Sequence, residues 1–241
     1  MSGAPENTLS VTRSAGSGRP VVLLHGLASR ATQDWPAPVW EEAFAGRPLV
    51  RVDLPAHGES PAVGVLPTTG VVDLLAQAVA AVAPGEEVDL LGYSLGARLA
   101  WALAAHPALA VRRVALGGLS PMEPFTMVDL PAARLAATGG PAPADPITGT
   151  ILGMTTLPGN RPEALLDLIE GLAAEPFDPA VGAPAQPVLL LGGVEDPMAQ
   201  GIDALAAALQ DSRVVRVPGD HLGALHAPEF RAAAAGFLAE D

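Results

Sequence analysis

Short apolar runs recur along the chain, and each ends in a turn that is rich in glycine, proline or polar residues. Continuous apolar runs of this length are typical of strands buried on both faces of a parallel sheet. An alternating segment near the start of the chain fits a further strand. The pattern predicts strands at Thr8–Arg13, Pro20–His25, Leu49–Leu54, Glu87–Leu91, Arg113–Leu116, Pro187–Leu191 and Arg213–Val217.

Longer segments of helix-forming residues separate these strands. Strands that alternate with helices favour an α/β fold, with a mostly parallel sheet and helices on both of its faces. The predicted helices of this layout are Thr69–Val82, Ala97–Ala105, Ile202–Leu209 and Glu229–Leu238.

The segment 120–185 breaks this pattern, because it is rich in proline and glycine and contains only short helix-like pieces, at Val128–Ala137 and Pro162–Ala174. We interpret residues 120–185 as a cap or lid, inserted into an α/β core formed by residues 1–119 and 186–241. A long crossover with an irregular helix is the alternative, and connections of this length are uncommon in compact domains.

Polar residues stand at the ends of five of the predicted strands. Ligands of open α/β sheets bind outside the carboxyl ends of the strands. We therefore expect these side chains to converge on one site, and they are His25, Asp53, Ser94, Asp196 and His221.

Ser94 lies in the pattern Gly-x-Ser-x-Gly, between a predicted strand and a predicted helix. A serine in such a turn is typical of a nucleophile elbow, and the helix N-terminus there directs free N–H groups at the site. A tight strand-to-helix loop without chemistry would show the same five residues, so the interpretation depends on the other strand-end residues.

A serine hydroxyl becomes a good nucleophile when a base takes its proton, and the base is oriented by a third group. With the chain order Ser, acid, His, we predict Ser94 as the nucleophile, Asp196 as the orienting carboxylate and His221 as the general base and acid. The backbone N–H groups of Leu27 and Leu95 are expected to form the oxyanion hole.

Other residues compete for these roles. His226 is the alternative base, and Asp203 and Asp220 are the alternative acids. His25 and His57 are expected to brace loops through hydrogen bonds rather than to take part in chemistry.

Substrate contacts are harder to read from the pattern. Trp35, Arg98 and Phe125 are the candidate substrate-binding residues. Arg98 could instead lie at the surface or in a structural ion pair. These candidates overlap with a set that could line an acyl pocket or form ordinary cap core: Trp35, Met122, Phe125, Met127 and Met154.

Charge and composition exclude several classes of partner. The formal net charge of −13 argues against nucleic acid, whose binding depends on basic contacts to phosphate. The chain has no cysteine, which excludes disulfides and thiolate chemistry. It shows neither signal-peptide features nor an apolar run long enough to cross a bilayer, so we expect a cytoplasmic protein without membrane contact. Its five histidines lack metal-ligand spacing, so we predict no metal and no cofactor, only a small-molecule substrate.

Taken together, these motifs resemble the α/β-hydrolase superfamily from about Thr8 to Leu238. The resemblance implies a serine hydrolase with a Ser-Asp-His triad, on an eight-stranded, mostly parallel sheet with a cap after the sixth strand. Ala56 departs from the pattern, since the family usually has glycine there. The matching motifs are His25-Gly26, Asp53 to Ser60, Gly92 to Gly96, Asp196, and Gly219-Asp220-His221 followed by Pro228 and Phe230.

Within that superfamily, the segment Gly92 to Arg98 and Trp35 resemble the SHCHC synthases, which are lyases of menaquinone biosynthesis. This resemblance implies that Arg98 holds an anionic substrate. The expected function is cleavage of a carboxylic ester of a small or medium apolar acid through an acyl-enzyme. The alternatives are a lyase or C–C bond hydrolase with the same triad, and a non-catalytic ligand-binding receptor.

Overall fold

The computed structural model describes residues 8–240, and its central feature is a seven-stranded sheet with the order β1-β3-β2-β4-β5-β6-β7. Only β1 runs antiparallel, against β3, and the other neighbouring pairs are parallel. The strands are β1 Val11–Arg13, β2 Val21–Leu24, β3 Leu49–Val52, β4 Glu87–Tyr93, β5 Ala110–Gly117, β6 Val188–Gly193 and β7 Ser212–Val217.

All seven predicted strands are present, whereas the resemblance implied eight. The count of eight is wrong for residues 8–240. The reason lies at the β1 edge, where the residues between position 8 and β2 form one strand of three residues, paired with β3. The turn that follows leads directly into β2.

Helices cover both faces of the sheet. The sequence did not indicate α1, α2, α6 or α9, of which two have only four residues. The helices are α1 Ala31–Asp34, α2 Ala37–Ala43, α3 Thr68–Val82, α4 Leu95–Leu103, α5 Leu130–Ala137, α6 Pro146–Thr155, α7 Pro162–Ala174, α8 Ile202–Ala207, α9 Gly223–His226 and α10 Pro228–Ala239, with short 3₁₀ turns at Pro124–Met127 and Met198–Gly201.

Alternate residues of the strands supply two separate apolar layers, as the twofold period of a strand requires. On one face, Leu90 and its equivalents pack in a cluster that also contains Leu75 of α3 and Leu99 of α4. On the other face, Leu91 and its equivalents pack in a cluster with Phe230 of α10. Because both faces are covered, β2, β3 and β6 are buried along their whole length.

The segment 120–185 connects β5 to β6 and contains the first 3₁₀ turn, α5, α6 and α7. Its helices begin with clear signals: the Asp145 side chain accepts a hydrogen bond from the Thr148 N–H, and Pro146 opens α6. Leu168 and Ile169 of α7 are fully buried in the same apolar cluster as α3 and α4. The division into core and cap stays a prediction.

Among residues 8–240, no helix is both long enough and apolar enough to cross a membrane.

Candidate active site

Ser94 is the single residue between β4 and α4, and its backbone is left-handed, with φ 52° and ψ −115°. Non-glycine residues rarely adopt this conformation, so the turn is strained. Helix α4 also passes close to the end of β2: a Cβ on Gly96 would lie 2.1 Å from the Leu24 carbonyl oxygen. The Ser94 N–H donates to the Gly117 carbonyl at 2.8 Å, which ties the turn to the end of β5. These contacts hold the serine side chain above the sheet edge.

Three side chains from three strand ends form a continuous hydrogen-bonded chain. His221 Nε2 lies 3.0 Å from Ser94 Oγ, and His221 Nδ1 lies 2.9 Å from Asp196 Oδ2. Because a carboxylate only accepts, the imidazole proton is on Nδ1, and Nε2 is left to accept from the serine hydroxyl. Asp196 is fully buried, and its other oxygen accepts from the Met198 N–H at 2.8 Å.

The competing residues are not part of this hydrogen-bonded chain. His226 ends α9 with an exposed side chain. Asp203 pairs with Arg216 on the surface at 2.8 Å. Asp220 closes a local turn, accepting from the Gly223 N–H at 2.8 Å.

His221 is held by residues that sequence reasoning missed. The Tyr93 hydroxyl donates to the His221 backbone carbonyl, and the two rings lie 5.5 Å apart. Burial raises the pKa of the Tyr93 hydroxyl, so it stays protonated as a donor. Gly118 leaves room for the imidazole, since a Cβ there would lie 3.0 Å from His221 Cε1.

The loop after β2 carries the predicted oxyanion donor Leu27, and its flanking amides are both fixed. The Gly26 N–H donates to Asp34 Oδ2 at 2.8 Å, and the Ala28 N–H donates to His57 Nε2 at 2.9 Å. Leu95 opens α4, so its N–H has no acceptor within the helix. Both leucines border the same cavity as Ser94.

His25 and His57 act as braces, which agrees with their expected structural role. His25 Nε2 accepts from the Leu54 N–H at 2.9 Å, while its Nδ1 bonds the Gly26 carbonyl. His57 Nδ1 bonds the Pro55 carbonyl in the same way. Burial lowers the pKa of His25 to about 4 and that of His57 to about 3, so both rings are neutral at pH 7.

Asp34 was not singled out by its sequence context. Its carboxylate is buried, and it also accepts from the Ser29 hydroxyl. Burial raises the pKa of Asp34, although the Gly26 N–H opposes this shift. Its two hydrogen bonds shape the loop around Leu27.

A cavity of about 470 Å³ opens over Ser94. Most of its wall is apolar, and the segment 120–185 supplies the larger part of that wall. Of the five residues that the sequence left open between acyl pocket and cap core, Phe125 and the three methionines border this cavity, and Trp35 does not. The apolar lining consists of Leu27, Leu95, Leu119, Met122, Pro124, Phe125, Met127, Pro146, Ile147, Ile151, Met154, Phe177, Pro197 and Met198.

Comparison with known proteins agrees with this architecture. The sequence model of the alpha/beta hydrolase family matches residues 21–234, which is most of the chain. The chain belongs to this family. A search of the curated proteins gave no match.

Several solved structures share the alpha/beta hydrolase fold over nearly their whole length. The enol-lactonase from Burkholderia xenovorans LB400 has 25% identity and a TM-score of 0.75, with 96% of each chain covered. The thermophilic esterase from Thermogutta terrifontis has 23% identity and a TM-score of 0.74, covering 95% of this chain and 92% of that one. MenH from S. aureus has 18% identity and a TM-score of 0.73, covering 95% and 97%.

In this alpha/beta hydrolase, Trp35 requires a correction as a substrate-binding residue. Its side chain is fully buried on the opposite face of the sheet, where its ring lies 4.9 Å from that of Trp40. It does not line the cavity over Ser94, because its side chain packs in the apolar cluster of that face. Phe125, in contrast, borders the cavity.

Arg98 is buried rather than at the surface, and its partner is Glu123. Arg98 Nε lies 2.5 Å from Glu123 Oε2, and both side chains are about 95% buried. Arg98 Nη2 also donates to the Thr68 hydroxyl at 3.0 Å and to the Leu172 and Glu175 carbonyls at 3.2 Å. Arg98 borders the cavity, with its charge already matched by a carboxylate.

Across residues 8–240, no cluster of three or more His, Asp or Glu side chains is arranged to hold a metal ion.

Proposed function

We propose that this alpha/beta hydrolase cleaves carboxylic esters of small or medium apolar acids through an acyl-enzyme on Ser94. The observation that carries the proposal is the hydrogen-bonded chain from Ser94 through His221 to Asp196, open to an apolar cavity. An esterase and an enol-lactonase are among the proteins with the same fold.

The first half-reaction forms the acyl-enzyme. His221 Nε2 takes the hydroxyl proton as Ser94 Oγ attacks the ester carbonyl. The N–H groups of Leu27 and Leu95 stabilise the negative charge of the tetrahedral intermediate. The bond to the alcohol oxygen then breaks, and His221 gives its proton to the leaving alcohol.

The second half-reaction releases the acid. His221 takes a proton from water, whose oxygen attacks the acyl carbonyl, and the proton then passes to Ser94 Oγ as the acyl bond breaks. Throughout, Asp196 holds the imidazole tautomer and stabilises the imidazolium. Its complete burial keeps water from competing for that hydrogen bond.

A lyase or C–C hydrolase with the same triad is the second candidate, and MenH shares the fold at 18% identity. In that case Arg98 would hold an anionic substrate. The ion pair with Glu123 already compensates the charge of Arg98, which argues against this role, and Arg98 Nη1, which has no hydrogen-bond partner among residues 8–240, is the atom left to meet a substrate anion. A receptor without catalysis is the third candidate, and the intact Ser94 and His221 contact argues against it.

Hydrolysis of p-nitrophenyl esters, from acetate to palmitate, tests the proposal when wild type and Ser94→Ala are compared. We expect turnover of the shorter esters by the wild type and its loss in Ser94→Ala. A folded wild type that hydrolyses none of the esters would shift the assignment to the lyase or the receptor. Loss of anionic-substrate turnover in Arg98→Ala would then select the lyase.

A further inference from the structure

A second cavity of about 450 Å³ lies beside the one over Ser94. Two residues, Arg98 and Phe177, border both cavities. The lining of the second cavity includes apolar parts of α3 and α4, among them Val72 and Trp101, beside polar residues such as Asp73 and Glu175. The two cavities therefore meet at Arg98 and Phe177, which form the wall between them.

The two halves of this wall are held very differently. Arg98 is fixed by its ion pair with Glu123 and by three further acceptors. Phe177 is only half-buried, and its backbone N–H donates to Glu123 Oε2 at 3.0 Å. Its ring packs edge-to-face on Trp101, with centroids 5.5 Å apart. The phenyl ring is thus the part of the wall that can be removed without breaking the buried ion pair.

We propose that Phe177 is a specificity-determining residue that sets the longest acyl chain this site accepts. The proposal rests on the proposed ester hydrolysis and adds a limit to its substrate range. The ring closes the acyl cavity towards the second cavity. Without the ring the two cavities join, and a longer chain runs past Arg98 along Val72 and Trp101.

The expected size of the effect follows from burial of methylene groups. Each methylene that leaves water for an apolar cavity contributes roughly a factor of four in binding. Two or three additional buried methylenes therefore change the preference for a long over a short acyl chain by about tenfold or more.

The test measures kcat/KM for p-nitrophenyl esters from acetate to palmitate in the wild type, Phe177→Ala and Phe177→Leu. The quantity compared is the ratio of laurate to butyrate. We expect Phe177→Ala to raise this ratio by about tenfold or more, with Phe177→Leu in between because leucine still fills part of the opening.

Two matched variants distinguish the loss of the wall between the cavities from a simple enlargement of the acyl cavity. Phe125→Ala enlarges the acyl cavity, but Phe125 does not border the second cavity, so the limit on chain length should stay. Val181→Ala changes an exposed residue that borders only the second cavity, so the wild-type profile is expected. An unchanged ratio in Phe177→Ala, or an equal rise in Phe125→Ala, would overturn the proposal.

A binding measurement keeps the test independent of turnover. Alkan-2-ones are neutral ester analogues without a leaving group, and their affinities can be measured by calorimetry. We expect the same shift towards longer chains in Phe177→Ala, checked by circular dichroism for folding. Absence of ester hydrolysis by the wild type would reject the proposed function, whereas equal chain-length dependence of binding in both proteins would reject the role of Phe177.

Discussion

The carboxyl edge of the sheet and the segment 120–185 build the site in different ways. At the sheet edge, backbone geometry places single polar groups: Ser94 stands on a strained turn, and His221 follows the strand next to that of Asp196. The segment 120–185 supplies bulk instead, with apolar side chains over the cavity and a buried ion pair to α4.

If the proposed ester hydrolysis holds, this difference separates the residues that carry the chemistry from those that select the substrate. Substitutions at the sheet edge should remove turnover while the cavity keeps its shape. Substitutions in the segment 120–185 should change stability and substrate range while the hydrogen bonds of Ser94 remain. The predictions below test this separation.

The largest effect is expected from Asp196→Asn. The asparagine oxygen can still accept from the Met198 N–H, which turns the amide NH₂ towards His221 Nδ1 and forces the wrong tautomer. We expect kcat to fall by about 10⁴, with the fold retained. Asp203→Asn is the control, since that carboxylate pairs with Arg216 at the surface. Similar activity losses in both variants would contradict the role of Asp196.

The next effect concerns stability in the segment 120–185. Glu123→Ala leaves Arg98 buried without its carboxylate, which should cost about 3–5 kcal/mol in the free energy of unfolding. Glu163→Ala removes an exposed carboxylate that lies 3.0 Å from Arg134, and it should cost about 1 kcal/mol or less. Urea denaturation of both variants measures the difference. Equal losses would mean that the buried pair contributes no more than a surface pair.

A smaller effect per pH unit is expected when the pH is lowered. The pKa of His25 is lowered from 6.5 to about 4 and that of His57 from 6.5 to about 3, both by burial. Below pH 6.5 the two imidazoles bind protons in the unfolded chain but not in the folded chain. The free energy of unfolding therefore falls by about 1.4 kcal/mol per pH unit for each ring. This loss ends near pH 4 for His25 and near pH 3 for His57.

The raised pKa of Asp34 has the opposite effect on stability, because this carboxyl binds a proton more readily in the folded chain than in the unfolded chain. It is a single carboxyl, however, and it opposes two imidazoles. Urea denaturation at several pH values measures the slope. His57→Gln should reduce that slope, and the exposed His226→Gln should not. A free energy of unfolding that stays constant from about pH 6.5 to pH 5 would rule out the two neutral histidines as the cause.

The sheet edge could be predicted from the sequence because each of its residues follows a short apolar run. Six of the seven strands and the positions of Ser94, Asp196 and His221 follow from that local pattern, and β1 follows from an alternating one. Leu27 could be placed in the same way, since it comes directly after β2. The eighth strand came from the resemblance alone, and it is the strand that residues 8–240 lack.

The part of the cavity wall around Arg98 could not be predicted, because its contacts join residues far apart in the chain. Glu123 meets Arg98 across 25 positions and the Phe177 backbone across 54 positions. No local periodicity encodes such pairs. Trp35 shows the opposite error, because the sequence predicted it as a substrate-binding residue. An apolar ring suits a pocket and a core equally well, and the packing of α1 and α2 places it in the core.

The most direct test of the account is to trap the acyl-enzyme. The protein is mixed with p-nitrophenyl butyrate, quenched in acid within the first turnovers and digested, and the peptide that contains Ser94 is weighed by mass spectrometry. The account predicts a butyryl adduct on Ser94 in the wild type and none in Ser94→Ala. An adduct on another residue, or equal ester turnover in both proteins, would contradict it.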